Sequence, residues 1–170
     1  MAVFRRFFPA EMAESVRHID YGKFWERGIR GLIFDIDNTL ASFDVPEPCA
    51  DTMAFLRGLN DMGFAIAFLS NNSKERVENF NKNLGYPHVW KAKKPRLGGI
   101  LRALDMLGLP KEQVVLIGDQ IFTDCWVGQR AGIYTVLTKP IAARDEWQVK
   151  LKRYPERLVL RAFARSGDES

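Results

Sequence analysis

The sequence predicts an α/β fold: a Rossmann-like parallel sheet of about five strands, with helices on both faces and no cap domain. Short apolar runs alternate with segments whose apolar residues recur at helical spacing, which is the pattern of βαβ units. Polar side chains of complementary chemistry follow three of these runs, as expected at the carboxyl edge of a parallel sheet. We therefore predict one domain over residues 1–170, with an N-terminal arm at 1–30, a core at 31–138 and a basic segment at 139–170.

The strands and helices of the core follow from this alternation. Buried strands are predicted at residues 32–34, 64–69, 88–90, 114–117 and 133–137. Helices are predicted at residues 20–28, 49–62, 73–83, 95–107 and 122–131. Pro95 fits the first turn of the fourth of these helices, because proline lacks the backbone N–H that this position leaves unpaired. Each core strand except the last is thus followed by a helix.

The composition is that of an ordinary globular protein, with 46% hydrophobic and 27% charged residues. No apolar run is long enough to span a bilayer, and two cysteines are too few for a disulfide framework. We therefore expect reduced thiols and a cytoplasmic protein. The formal net charge of +4 permits an anionic partner without identifying one.

The end of the first core strand carries two carboxylates, Asp35 and Asp37, followed by Asn38 and Thr39. Burying two unpaired acids is costly, so this pair needs a cation or a role at a solvated strand end. The alternative is a strand followed by an Asx-turn, in which Asp37 and Asn38 make only local backbone bonds.

Two further strand ends and one lysine complete the candidate site. Ser70, Asn71 and Asn72 follow the second strand, Asp119 and Asp124 follow the fourth, and Lys94 lies between them in sequence. A cation such as Mg²⁺ is typically held by a few carboxylates with water and phosphate, and a bound phosphoryl group needs positive charge and hydrogen-bond donors. Each residue has a structural alternative, such as a helix cap for Ser70 or a surface charge for Lys94. Their joint occurrence at strand ends and helix starts favours a site.

This set of motifs resembles the haloacid dehalogenase-like superfamily, over about residues 30–138. The matching motifs are Asp35-x-Asp37-x-Thr39, Ser70, Lys94 and Gly118-Asp119-xxxx-Asp124. The resemblance implies that Asp35 is a nucleophile forming an aspartyl-phosphate, and that Asp37 is a general acid and then a base. It implies a Mg²⁺ site formed by Asp35, the Asp37 carbonyl and Asp119, with Asp124 supporting the metal or Lys94. Ser70 and Lys94 would contact phosphate, and Thr39, Asn71 and Asn72 are candidate substrate-binding residues.

Finer sequence details resemble one branch of this superfamily, the YqeG-type phosphatases, which are related to the mitochondrial phosphatidylglycerophosphate phosphatases. The details are Asp-Ile-Asp-Asn-Thr-Leu, Ser-Asn-Asn, Lys-Lys-Pro and Gly-Asp-Gln-Ile-Phe-Thr-Asp. The resemblance implies dephosphorylation of phosphatidylglycerophosphate to phosphatidylglycerol. The spacing between motifs leaves room for single βα units but not for a cap, so we expect a site open to bulky substrates.

Both ends of the chain carry basic and aromatic or apolar residues that suit either packing or an anionic membrane surface. They are Phe4, Arg5, Arg6, Phe7 and Phe8 at the start, and Arg157, Arg161 and Arg165 on one face of a C-terminal helix. The leading prediction is therefore a Mg²⁺-dependent lipid phosphatase at the inner face of the membrane. The alternatives are a phosphatase of soluble sugar or nucleotide phosphates, and a non-catalytic binding or scaffold protein. No aromatic-rich RNA-binding motif is present, which argues against a nucleic-acid partner; the oligomeric state is left open.

Overall fold

A six-stranded parallel sheet forms the centre of the protein, in the order β1-β6-β5-β2-β3-β4. The structure is a computed structural model that describes residues 7–142, 156 and 158–164. The strands are β1 (Glu11–Ala13), β2 (Gly31–Phe34), β3 (Ala65–Leu69), β4 (His88–Val89), β5 (Val114–Gly118) and β6 (Tyr134–Thr138). The helices are α1 (Tyr21–Glu26), α2 (Ala50–Asp61), α3 (Lys74–Asn81), α4 (Leu97–Leu107) and α5 (Trp126–Ala131). The predicted α/β class and the five core strands are confirmed.

The sixth strand, β1, was not predicted, because it lies in the segment expected to form only an N-terminal arm. It has three residues and no apolar run, so the sequence carries no periodic signal for it. It pairs in parallel with β6, with Met12 opposite Leu137. The arm therefore covers an edge of the sheet that the core alone would leave open.

The two faces of the sheet are covered by different helices. Leu32 and Phe34 of β2 belong to a core cluster that includes residues of α1, α2 and α3, whereas Ile33 packs with residues of α4 and α5. Residues of β3 and β5 alternate between the two clusters in the same way. Both faces are thus buried, which explains why the core strands are apolar without alternation.

Helix α4 begins later than the sequence indicated. Arg96 is its N-cap, so Pro95 lies in the preceding loop rather than in the first turn. The reason is a turn in which the Arg96 N–H donates to the Lys93 carbonyl at 2.8 Å. Lys91 and Lys93 in this loop have left-handed φ values of 43° and 56°, and Arg96 then has an extended backbone at the start of the helix.

The predicted helix over 122–131 is divided into two parts. A π-helical turn at Ile121–Cys125 precedes α5. Within it the Asp124 and Cys125 N–H groups both donate to the Gln120 carbonyl, at 2.9 and 3.2 Å. Such turns are frequent at functional sites because they redirect a side chain, and here the redirected side chain is Asp124.

The described parts of both termini pack against each other on the domain. Phe7 makes edge contacts with Phe122 and Trp126, at 5.2 Å between each pair of ring centroids, and Phe8 contacts Phe163 in the same way. Val159 of the C-terminal helical segment 158–164 is buried in the same cluster. Phe7 and Phe8 are therefore packing residues here rather than free membrane contacts.

The remaining terminal residues considered for membrane contact fall partly outside this description. Arg161 is exposed. The other five candidates lie outside the described residues: Phe4, Arg5, Arg6, Arg157 and Arg165. Within the described part of the chain, no helix is long and apolar enough to span a bilayer.

Candidate active site

The predicted site residues meet at the carboxyl edge of the sheet, where β2, β3 and β5 end side by side. An open cleft of about 280 Å³ lies there. Its lining includes six predicted site residues, Asp35, Asp37, Ser70, Asn71, Asn72 and Lys94, together with Asn38, Phe43, Gln120 and Thr123. The ends of parallel strands bring distant segments together at one edge of the sheet, so residues up to 88 positions apart, Asp35 and Thr123, line one cleft.

Lys94 is buried and joins two carboxylates at the base of the cleft. Its Nζ donates to Asp35 Oδ1 and to Asp124 Oδ1, each at 2.6 Å, and to the Leu69 carbonyl at 3.0 Å. All three ammonium hydrogens therefore have acceptors, which a buried lysine requires. Burial alone would lower the pKa of Lys94, but the carboxylates of Asp124 and Asp35 outweigh burial and raise it, so the group is charged.

The backbone around Lys94 is held by Asn71. The Lys94 N–H donates to Asn71 Oδ1 at 2.7 Å, and Asn71 Nδ2 donates to the Lys94 carbonyl at 3.3 Å. Lys91 and Lys93 have left-handed backbone conformations and exposed side chains, whereas Ala92 and Lys94 are buried. Asn71, considered as a substrate-binding residue, thus has its amide engaged in positioning Lys94.

Three carboxylates form a cluster beside this lysine. One oxygen of each of Asp35, Asp119 and Asp124 lies within 4.8 Å of the others. Thr39 Oγ1 lies 3.3 Å from Asp35 Oδ2 and 3.3 Å from Asp119 Oδ1, so it can donate to either. Burial raises the pKa of Asp35 to about 7, with Lys94 opposing the shift and Asp124 adding to it. Burial also raises the pKa of Asp119 to about 9, assisted by the charges of Asp35 and Asp124.

These raised pKa values have two physical causes: burial, which is the larger, and negative charge in excess of the single lysine that faces it. A divalent cation would remove the excess, and a cluster of carboxylate oxygens is the donor set that Mg²⁺ prefers. The residues present therefore fit a metal site formed by Asp35 and Asp119. Asp124 is partly engaged already, because its other oxygen accepts from the Gln120 N–H at 3.1 Å.

The Asp124 side chain also packs directly against the backbone of Gly118. A Cβ added at Gly118 would overlap the Asp124 side chain, so only glycine permits this approach. The π-helical turn and the glycine together place the Asp124 carboxylate against Lys94. The motif Gly118-Asp119-xxxx-Asp124 thus has a steric reason for its glycine as well as an electrostatic reason for its acids.

Asp37 lies in the same cleft but outside the carboxylate cluster. Its Oδ1 accepts from Arg76 Nε at 3.1 Å, and its Oδ2 accepts from Asn72 Nδ2 at 3.2 Å. Arg76 Nη2 lies 3.0 Å from the same Oδ1 at ion-pair distance, without the alignment of a second hydrogen bond. Arg76 Nη1 donates to the Pro46 carbonyl at 2.8 Å and so ties the carboxylate to the loop that follows β2.

Arg76 is the residue of this site that sequence reasoning missed. A lone arginine in a helix is usually a solvated charge, and nothing in its spacing marks it. The available signal was its position in the first turn of α3, three residues after the N-cap Ser73. That turn lies at the carboxyl edge of the sheet, within reach of the Asp37 carboxylate.

Ser70 and Asn72 complete the mouth of the cleft. The Ser70 side chain is buried at the end of β3, where its Oγ accepts from the Asn72 N–H at 3.0 Å. Its hydroxyl hydrogen remains available for an acceptor in the cleft. The arrangement as a whole offers a buried carboxylate at Asp35, which is the kind of group that can act as a nucleophile, a second carboxylate at Asp37, a fixed ammonium, and a carboxylate cluster that fits a cation.

Comparison with known proteins agrees with this chemistry. The family model described as "Hydrolase: haloacid dehalogenase-like hydrolase" matches residues 41–132. The chain is 36% identical over 161 residues to the probable phosphatase YqeG of Bacillus subtilis (strain 168), covering 95% of this chain and 94% of that protein. It is 28% identical over 147 residues to the chloroplastic phosphatidylglycerophosphate phosphatase 1 of Chlamydomonas reinhardtii, covering 81% of this chain but only 55% of that protein.

A solved structure supports the fold. The putative haloacid dehalogenase-like hydrolase from Bacteroides fragilis superimposes with a TM-score of 0.56 at 17% identity, over 71% of this chain and 93% of that one. The family model spans more than half of the chain, and the Bacillus relative aligns with nearly all of it. This chain therefore belongs to the haloacid dehalogenase-like hydrolases, in the YqeG-like branch, and it is a phosphatase.

Proposed function

We propose that the protein hydrolyses phosphatidylglycerophosphate to phosphatidylglycerol and phosphate, through an aspartyl-phosphate on Asp35. The observation that carries the mechanism is the position of the Asp35 carboxylate, buried beside Lys94 and Thr39 at the base of an open cleft that Asp37 also lines. The substrate is proposed from the relatives, since one of them is a phosphatidylglycerophosphate phosphatase. An open cleft also suits a phosphate carried by a bulky lipid.

The proposed reaction has two displacements at phosphorus. An Asp35 oxygen forms a bond to phosphorus while the bond to the glycerol oxygen breaks, and Asp37 gives that oxygen its proton. Asp37 then takes a proton from water, whose oxygen attacks phosphorus and releases Asp35 with inorganic phosphate. Asp37 is regenerated in its protonated form, so atoms and protons balance over the cycle.

The other residues hold charge and geometry during these steps. Lys94 supplies positive charge beside the Asp35 carboxylate through its ion pairs, and the Ser70 hydroxyl can bind a phosphoryl oxygen. Arg76 and Asn72 orient the Asp37 carboxylate. Mg²⁺ held by Asp35 and Asp119 would supply positive charge at the phosphoryl oxygens. Without such a cation, the raised pKa of Asp35 would leave part of the nucleophile protonated near neutral pH.

The test is phosphate release from phosphatidylglycerophosphate in detergent micelles, compared with soluble phosphomonoesters. We expect the lipid to be the preferred substrate by kcat/KM. Asp35→Asn should abolish turnover and Asp37→Asn should impair it severely, with both variants folded. Full activity of Asp35→Asn on any substrate would refute the covalent mechanism. A preference for soluble sugar or nucleotide phosphates would refute the lipid substrate and leave the mechanism standing.

A further inference from the structure

A second concave surface lies beside the active-site cleft, at the open edge of the sheet. It is a groove of about 570 Å³ between β4 and α4, which we call the β4–α4 groove. Four of its lining residues are basic: Lys91, Lys93, Arg96 and Arg102. All four are exposed, and no acidic residue is among the described residues that line the groove. None of the ion pairs between described residues uses these four cations.

Large apolar side chains lie among these charges. Trp90 is 38% exposed and Met106 is 51% exposed, and both line the groove. An aromatic ring and a flexible apolar chain surrounded by cations are the combination found at membrane interfaces, where apolar groups enter the headgroup region and cations meet anionic lipids. A purely electrostatic site would not require the apolar part.

The groove and the cleft are built from one segment. Lys93 lines the groove, whereas the next residue, Lys94, lines the cleft and contacts Asp35. The left-handed conformations at Lys91 and Lys93 turn these cations outward and leave Lys94 inward. Arg102 is six residues after Arg96, so the positive charge extends about 9 Å along the helix axis away from the cleft.

We propose that the β4–α4 groove is the surface through which the protein docks on an anionic lipid bilayer. The inference rests on the proposed lipid substrate, and it specifies that the membrane lies against the groove. A lipid phosphate beside Lys93 would then be next to the cleft that contains Asp35. The arginines are suited to lipid phosphates because a guanidinium binds phosphate oxygens in a bidentate manner.

The test is co-sedimentation of the full chain with phosphatidylcholine vesicles, with and without phosphatidylglycerol. The groove variant is Arg96→Gln/Arg102→Gln. The control variant is Lys82→Gln/Lys111→Gln, which removes the same charge from exposed residues that do not line the groove, at the end of α3 and just before β5. At low salt we expect the groove variant to bind phosphatidylglycerol vesicles about 25-fold more weakly than wild type, at about fivefold per charge. The control should bind as wild type does, and thermal unfolding should show that both variants fold.

Three outcomes are informative. Equal vesicle binding by the groove variant and wild type would overturn the proposal, and so would equal losses in the groove and control variants. Tight binding of a single-stranded RNA that displaces wild type from vesicles would also overturn it, in favour of a nucleic-acid surface. Hydrolysis of micellar phosphatidylglycerophosphate by wild type, measured in parallel, tests the proposed function separately, because micelles present the substrate without a bilayer.

Discussion

Replacing Lys94 with methionine should destabilise the protein strongly, because two buried carboxylates lose their partner. Lys94 is 2.6 Å from an oxygen of Asp35 and 2.6 Å from an oxygen of Asp124, and all three side chains are at most 8% exposed. Removing one partner of a buried ion pair costs about 3–5 kcal/mol, since the remaining charge is left uncompensated. Methionine keeps most of the side-chain volume, so little of the loss would come from a cavity.

This cost should depend on pH in a definite direction. Without Lys94, the pKa values of Asp35 and Asp119 rise further, because the Lys94 charge lowers both in the wild type, so the folded variant holds protons that the folded wild type has released. The loss in free energy of unfolding, relative to wild type, should therefore be larger at about pH 8.5 than at about pH 6. For a chain of this size, a loss of 3–5 kcal/mol lowers Tm by roughly 6–20 °C.

The matched control is the adjacent Lys93→Met. Lys93 is exposed, and its substitution should change the free energy of unfolding by no more than about 0.5 kcal/mol. Urea unfolding of wild type and both variants, at both pH values and with chelator present, gives the comparison. A loss below about 1 kcal/mol for Lys94→Met at about pH 8.5, or equal losses for the two variants, would contradict the buried ion-pair assignment.

Two further predictions concern the cation and the second carboxylate. Because the folded-state pKa values of Asp35 (about 7) and Asp119 (about 9) are raised, these two groups bind more protons in the folded, metal-free protein than in the unfolded chain between about pH 4 and 9. The Tm measured in chelator should therefore fall as pH rises through this range, and added Mg²⁺ should raise Tm more at high pH than at low pH. Asp119→Asn should weaken the dependence of Tm on pH. A metal-free Tm unaffected by pH would count against the shared carboxylate site. Arg76→Gln should lower kcat by about tenfold to a hundredfold, since the Asp37 carboxylate loses its orientation. The control variant Lys74→Gln, in the same turn of the helix, should not lower kcat. Equal kcat values for the two variants would show that Arg76 does not position Asp37.

Much of the fold was predictable because the core strands are buried on both faces. A segment such as Val114–Gly118 is apolar throughout, and only a buried parallel strand or a short buried helix gives that pattern. The site was predictable for a related reason. Acids such as Asp35 and Asp119, placed directly after buried strands, need compensation that only a shared site at the sheet edge supplies.

The features that the sequence did not reveal depend on tertiary contacts. β1 has no pattern of its own and forms because β6 offers it an unpaired edge. The local signal for Arg76 is limited to its position three residues after the N-cap Ser73, and its role follows from the loop position that places Asp37 beside it. The π-helical turn depends on one backbone carbonyl, that of Gln120, accepting two N–H groups, which residue types alone do not specify.

The pairing of β1 with β6 has a consequence for the order in which the chain folds during synthesis. Met12 lies opposite Leu137, so β1 leaves the ribosome well before β6 and cannot enter the sheet until β6 has been made. Contacts so distant in sequence form late, because the entropy of closing the intervening loop must be overcome first. The Gln129 side chain donates to the Phe8 carbonyl at 2.7 Å and reinforces the same junction. The central strands can assemble while the N-terminal arm is still unpaired, and the arm then joins the edge as one of the last steps of folding.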